Sequence, residues 1–222
     1  MKLFKRIRRL ARDIIFPPLC ILCGKYIDEN EENPVCADCS DHLVVHRYPE
    51  RVGTMTIWSA ADYRDKNIKK MIRILKYGGI KTASETLGNM LAEHISSIGL
   101  TPSESIIVPI PLHPSKERKR GYNQSELIAI VVGRISGIQV VPGVLRRIKK
   151  GEPQMSIEDY KERAENIRGA FVSGRDNGKV EGKTVILVDD VLTSGATMRE
   201  AVKEIRKMKP KRIIPAVVAR AK

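Results

Sequence analysis

Short continuous apolar runs alternate along this chain with stretches where apolar residues return every three or four positions. The runs Thr56–Tyr63, Ile106–Ile110, Gln139–Val141, Ala170–Ser173, Thr184–Val188 and Arg212–Ala219 predict strands, and several are apolar at successive rather than alternate positions. Strands of that kind are buried on both faces, as in a parallel sheet between helices. The helical period predicts a helix over Lys66–Tyr77, with Ile68, Met71, Ile72 and Leu75 on one face and Gly78-Gly79 as the stop. It predicts further helices over Thr86–Ile98, over Ser125–Ser136 with Gly137 as the stop, and over Gly195–Met208. From residue 106 onward the order is a βαβ alternation, so the expected fold class is α/β.

Three stretches break this pattern. Met1–Phe16 sets Leu3, Ile7, Leu10, Ile14 and Ile15 at helical spacing among basic residues, which predicts a basic amphipathic helix. It is expected to pack on the body of the protein, with contact to a membrane surface or nucleic acid as the alternative. Arg12 and Asp13 interrupt any signal-peptide core. Pro109–Pro114 predicts a rigid loop, and the basic run Lys116–Arg120 follows it. Arg146–Arg168 is polar and charged, with a break at Gly151-Glu152-Pro153, and predicts a long mobile loop or hairpin of the kind that tends to be functional. The expected division is a basic helix over 1–16, a small module over 17–50 and the main domain over 51–222. No apolar run is long enough to form a transmembrane helix.

Charge adds a partner class. The 222 residues hold 40 Lys and Arg against 26 Asp and Glu, a net +14. That excess points to a polyanion: nucleic acid, a phosphate-rich ligand or an anionic membrane. It is spread along the chain, except that residues 21–50 carry two basic against seven acidic side chains.

All four cysteines lie within 20 residues, in and at the edge of that acidic segment, as Cys20-x2-Cys23 and Cys36-x2-Cys39. Paired thiolates two apart can each clamp one edge of a tetrahedral ion, so structural zinc is expected on Cys20, Cys23, Cys36 and Cys39. Two disulfides or buried free thiols are the alternatives, but disulfides need an oxidising compartment and no export signal is read. His42 and His46 are expected to be surface or packing residues.

The most informative stretch is Val185–Thr197. Four apolar residues are followed by Asp189 and Asp190, which would be costly if buried unpaired. At a strand exit they can meet a ligand, and two carboxylates suit a vicinal diol. Thr193-Ser194-Gly195-Ala196-Thr197 then opens a helix whose amides and hydroxyls can cradle a phosphate. A diol and a phosphate that close together describe a 5-phosphorylated ribose. A plain helix N-cap is the alternative reading of the acids and the turn. Lys76, in the last turn of its helix, is placed to cap carbonyls or reach a phosphate.

These thirteen residues resemble the phosphoribosyl pyrophosphate (PRPP) motif of type I phosphoribosyltransferases. The wider pattern resembles one family of that fold, the ComF-type competence proteins. It includes the four-cysteine knuckle, Leu75-Lys76-Tyr77-Gly78, Val108–Pro114, Arg120-Gly121-Tyr122-Asn123-Gln124, Gln154, Arg163, Asn166 and Ala170-Phe171. The resemblance implies a type I phosphoribosyltransferase-like open parallel sheet flanked by helices, with the zinc module at its N-terminal side. It implies Asp189 and Asp190 on the ribose hydroxyls, directly or through Mg²⁺ and water. It implies Thr193, Ser194, Gly195, Ala196 and Thr197 on the 5-phosphate. Pro111, Leu112 and His113 correspond to the pyrophosphate loop, and Arg118, Arg120, Arg147 and Arg163 are candidates to neutralise pyrophosphate. Asp189, Asp190 and Arg163 would carry catalysis. The partners implied are PRPP or a related phosphoribosyl ligand, single-stranded DNA, and other competence proteins such as a DNA-uptake helicase. The expected location is cytoplasmic, free or peripheral to the membrane. Three functions stay open: a PRPP-dependent transferase, a DNA-binding accessory factor, and a nucleotide sensor without chemistry. Aromatic residues make up only 5% of the chain, which weakens a base-stacking platform but leaves backbone binding open.

Overall fold

A computed structural model describes residues 17–27, 33–46, 48–149 and 167–221. The helices are α1 (Ala37–Asp41), α2 (Lys66–Tyr77), α3 (Ala83–Ser96), α4 (Pro114–Arg120), α5 (Gln124–Ser136) and α6 (Ala196–Arg206). The strands are β1 (Glu50–Val52), β2 (Met55–Asp62), β3 (Ser105–Pro109), β4 (Gln139–Val140), β5 (Leu145–Arg147), β6 (Phe171–Ser173), β7 (Thr184–Leu192) and β8 (Arg212–Arg220). Six of them form one sheet in the order β1-β2-β8-β7-β3-β4, parallel except for the β1–β2 pair. The expected α/β class holds.

The apolar runs divide between two faces of this sheet. Along β7, Ile186 and Val188 join the core under α2, α3 and α5, while Val185 and Leu187 join the core under α6 and the β5–β6 pair. That two-sided burial is why the strand reads as continuously apolar rather than alternating. On the first face α3 and α5 pack closely at Gly88, where an added Cβ would lie 2.5 Å from the Cβ of Val131. Among the described residues of 17–50, the cysteine module has little core of its own. Its Cys20, Ile27 and Val35 are buried in the same cluster as Ile68, Met71 and Leu87. Two side-chain bonds reinforce the seam: Lys70 Nζ donates to the Leu22 carbonyl at 3.0 Å, and Thr86 Oγ1 to Asn33 Oδ1 at 2.6 Å.

Four differences from the sequence expectation have physical causes. First, β7 does not stop at Val188. It pairs with β8 as far as Leu192↔Arg220, so Asp189 and Asp190 lie inside the strand rather than at its exit. Second, Lys116–Arg120 is helical. His113 caps α4, Pro114 supplies the fixed φ at its first turn, and Gly121 ends it at φ 84°. Third, the strand expected at 170–173 leaves the parallel sheet and pairs antiparallel with β5. Fourth, β1 was not anticipated: its three residues are too short for a periodic signal. The basic helix expected over 1–16 and most of the expected 146–168 loop lie outside the described residues. Among the described residues no helix is long and apolar enough to cross a membrane.

Candidate functional site

The sheet topology creates one switch point. From β3 the chain passes through α5 to β4, on one side; from β7 it passes through α6 to β8, on the other. Because β3 and β7 are hydrogen-bonded neighbours, their outgoing connections diverge and leave a crevice at their carboxyl ends. The Ile110 amide donates to the Val188 carbonyl at 2.8 Å, which sets the loop after β3 beside the two acids of β7.

Asp190 is buried, at 3% exposure. Its Oδ1 meets Lys76 Nζ at 2.8 Å. Its Oδ2 is also buried and has no hydrogen-bond partner among the described residues. Asp189 Oδ1 accepts from Ser125 Oγ at 2.8 Å and from the Asp190 amide at 2.9 Å. Burial and the charge of Asp190 push the Asp189 carboxyl up to about 6, although Ser125 and Lys76 act against the rise. Burial draws the Lys76 ammonium down, but the charge and hydrogen bond of Asp190 outweigh it and hold Lys76 above its ordinary value. Burial lowers the Arg147 guanidinium, with the Asp189 charge opposing. The acidic pair is therefore in contact with one cation, Lys76, and within electrostatic reach of a second, Arg147.

The raised carboxyl has a testable sign. In the folded protein Asp189 keeps its proton up to about pH 6, whereas an unfolded Asp loses it near about 4. The native state thus binds more protons in that window, and this group's contribution to stability falls as pH rises through it. Asp189→Asn removes the burden, so the variant should exceed the native protein in urea-unfolding midpoint at pH 8. The gap should narrow as pH falls below 6. A gap that widens on acidification would mean that Asp189 is ionised and favourably paired.

The turn after β7 leads into α6. Gly195 stands at its N-cap with φ 74°, a conformation that other residues adopt only with strain. Thr193 is exposed, Ser194 and Thr197 are half-buried, and Gly195 and Ala196 are buried. Ser194 Oγ accepts from the Ala196 amide at 3.3 Å, and Arg199 donates to the Ser194 carbonyl at 3.0 Å. The positive end of α6 and its first amides face this turn, which favours an anion.

The loop after β3 is tied to the same region. Pro111, Leu112 and His113 are half-buried. His113 Nδ1 accepts from the Ser115 amide at 3.3 Å and lies 2.8 Å from its hydroxyl, so it caps α4. Arg118 is exposed. Arg120 donates to the Gln124 side-chain carbonyl and lies 5.7 Å from the centre of the Tyr77 ring. Tyr122 donates its hydroxyl to the Leu75 carbonyl, and Asn123 Nδ2 donates to the Ile110 carbonyl at 3.1 Å. Residues 120–125 thus join the end of α2, the loop after β3 and Asp189. Arg163, Gln154 and Asn166 lie outside the described residues. Ser125 was not foreseen as a site residue; the Asn123-x-Ser125 helix start was the only signal, and it reads first as capping.

The four cysteines come together. Their sulfur atoms all lie within 4.8 Å of one another, and Cys23 and Cys36 are 3.7 Å apart. A tetrahedral ion with bonds of about 2.3 Å would separate its sulfurs by about 3.8 Å. The cysteines are unbridged. Burial raises Cys20, but amides of Cys23, Cys36 and Leu22 outweigh it and bring the thiol down to about 6. Burial and the other three thiols push Cys39 up to about 12. Several thiolates in so small a space need a cation, and the group is compatible with zinc. His42 turns to the Asp38 carbonyl, and His46 to the Ser59 carbonyl at 3.1 Å and Glu50 at 3.5 Å. Neither histidine belongs to the sulfur group.

Residues 79–222 match the family model described as the phosphoribosyl transferase domain. Competence protein F of Haemophilus influenzae is 32% identical over 102 residues, which is 46% of this chain and 44% of that protein. Competence protein ComFC of Bacillus subtilis is 25% identical over 183 residues, covering 82% of this chain and 69% of the relative. DNA utilization protein YhgH of Escherichia coli K12 is 26% identical over 191 residues, covering 82% and 81%. The chain therefore spans less than half of the Haemophilus protein. Among solved structures, the glutamine PRPP amidotransferase from B. subtilis has a TM-score of 0.45 at 20% identity, covering 76% of this chain and 33% of that one.

Proposed function

The chain belongs to the phosphoribosyl transferase domain family, among the ComF-type competence proteins, and on that footing we propose that the crevice between β3 and β7 binds PRPP. One observation carries the reading. An acidic pair inside the carboxyl-terminal half of the central strand β7 is followed by a glycine-led helix N-terminus, at the switch point of the sheet.

The roles follow from the chemistry of the groups. Asp189 and Asp190 accept from the ribose hydroxyls, and the buried free oxygen of Asp190 is the acceptor that lacks a donor among the described residues. The amides and hydroxyls of Thr193–Thr197 take the 5-phosphate. The loop Pro111–His113 and the guanidinium groups of Arg118, Arg120 and Arg147 face the more distal phosphates. Hard oxygen donors suit Mg²⁺, and the carboxylates of Asp189 and Asp190 are the groups that would hold it, where it supplies charge neutralisation. Zinc on the four thiolates is structural, since all four positions are taken by sulfur. The reaction class is transfer of the phosphoribosyl group from PRPP to a nucleophile, with pyrophosphate leaving. Single-stranded DNA is the second reading. The net +14 favours it, as does the naming of relatives for competence and DNA utilization.

Calorimetric titration with PRPP in the presence of Mg²⁺ should give saturable binding that ribose 5-phosphate competes away. A flat titration would refute the reading. Pyrophosphate release, measured against a panel of bases and ammonia, then separates a transferase from a binding protein. Anisotropy of labelled single strands, followed from low to high salt, tests the DNA reading.

A further inference from the structure

The proposed phosphoribosyl site already holds a cation that the protein supplies. Lys76 reaches it from the last turn of α2, and its ammonium lies 2.8 Å from Asp190 Oδ1. The side chains are 22% and 4% exposed, so this is no solvent-screened surface pair. The helix that delivers Lys76 is held at both ends. Asp65 caps its start, accepting from the Asn67 and Ile68 amides at 2.8 and 3.1 Å. At its finish the Tyr122 hydroxyl donates to the Leu75 carbonyl. Of the four oxygens of the pair, one is taken by Lys76 and one by Ser125 and the Asp190 amide, while Asp190 Oδ2 is buried without a partner among the described residues.

Two adjacent carboxylates in a crevice ordinarily attract a divalent ion, because a single water-filled site cannot hold two negative charges cheaply. Here the neighbouring ammonium already offsets one of them. We infer that Lys76 is a positioning residue that acts as the built-in counter-cation of the acidic pair. In the free protein it makes the pair a poor divalent site and leaves the unpartnered oxygen of Asp190 to accept a hydroxyl. This rests on the phosphoribosyl reading of the crevice, but its test does not need a phosphoribosyl ligand.

Mn²⁺ binding, followed by electron paramagnetic resonance of the free ion, is compared in the whole chain without added ligand. Lys76→Met should bind Mn²⁺ at least about tenfold more tightly than the native protein, since a nearby positive charge has gone. Lys76→Arg should stay near native. The double variant Lys76→Met with Asp190→Asn should lose the gain. If Lys76→Met does not fold, Lys76→Gln takes its place. Equal Mn²⁺ affinity in the native and neutral variants overturns the inference, and so does a gain that survives Asp190→Asn. The cysteine module is common to all variants and cancels from the comparison. A native protein that fails to bind PRPP while the Mn²⁺ pattern holds would refute the phosphoribosyl reading and leave the role of Lys76 standing.

Discussion

Replacing both acids of β7, Asp189→Asn together with Asp190→Asn, should weaken PRPP binding by about a hundredfold or more. Each carboxylate is expected to accept a charge-assisted bond from the ribose, worth about 1.5–3 kcal/mol. Alanine is the wrong replacement here. It would leave Lys76 facing no acceptor in a site where its side chain is 22% exposed, and breaking a buried pair costs about 3–5 kcal/mol. Loss of binding would then be hard to tell from loss of structure. Asparagine keeps an oxygen for Lys76 and another for Ser125, so the charge is removed and the contacts largely survive. Titration calorimetry at pH 8 measures the affinity, and urea unfolding at the same pH confirms that the variant is folded. An affinity unchanged within threefold or so would remove the acidic pair from the binding site.

The second large effect is expected at the cysteines. Fresh protein should contain close to one equivalent of zinc by elemental analysis. The double variant Cys20→Ser with Cys36→Ser should contain none. A structural zinc contributes on the order of 10 kcal/mol to the fold that holds it, which rivals the stability of a whole domain. The damage should not stay local. Cys20, Ile27 and Val35 share a core cluster with Ile68, Met71 and Leu87, so loosening the module exposes one side of α2 and α3. A fall of about 10 °C or more in the thermal midpoint is expected. Amide exchange should accelerate through α2 as well as through the module. Zinc near zero in freshly prepared protein would refute the assignment, and an unchanged midpoint would show that the module is not coupled to the domain.

The two sites differ in how far they could be read in advance. The four cysteines were legible because a tetrahedral clamp needs only two close pairs, and Cys20-x2-Cys23 and Cys36-x2-Cys39 provide them. The turn into α6 was legible because it is local: Gly195 at φ 74° caps α6 in the way its place in the motif suggests. The acidic pair was legible in identity but not in setting. The expectation of a strand exit was reasonable from four apolar residues followed by two acids. It failed because Val191 and Leu192 resume the apolar pattern and pairing with β8 continues through the acids. The helix over Lys116–Arg120 was missed for the opposite reason: its charge hid the Pro114 and Gly121 signals that bound it.

By itself, the sequence determined what depends on near neighbours and on hydrophobic period. That covers the α/β class, the helix over Lys66–Tyr77, the stop at Gly137, the thiol spacing and the glycine turn into α6. The tertiary structure alone decided what depends on residues far apart in the chain. It set the strand order that makes β3 and β7 adjacent, and it brought Ser125 to Asp189. It sent β6 to β5 and away from the main sheet, and it turned Lys76 from a helix-end residue into the counter-ion of Asp190. Local periodicity says which face of a helix is buried, but not which carboxylate waits beneath its last turn. That pairing follows from packing and desolvation together, and neither has a signature in one stretch of sequence.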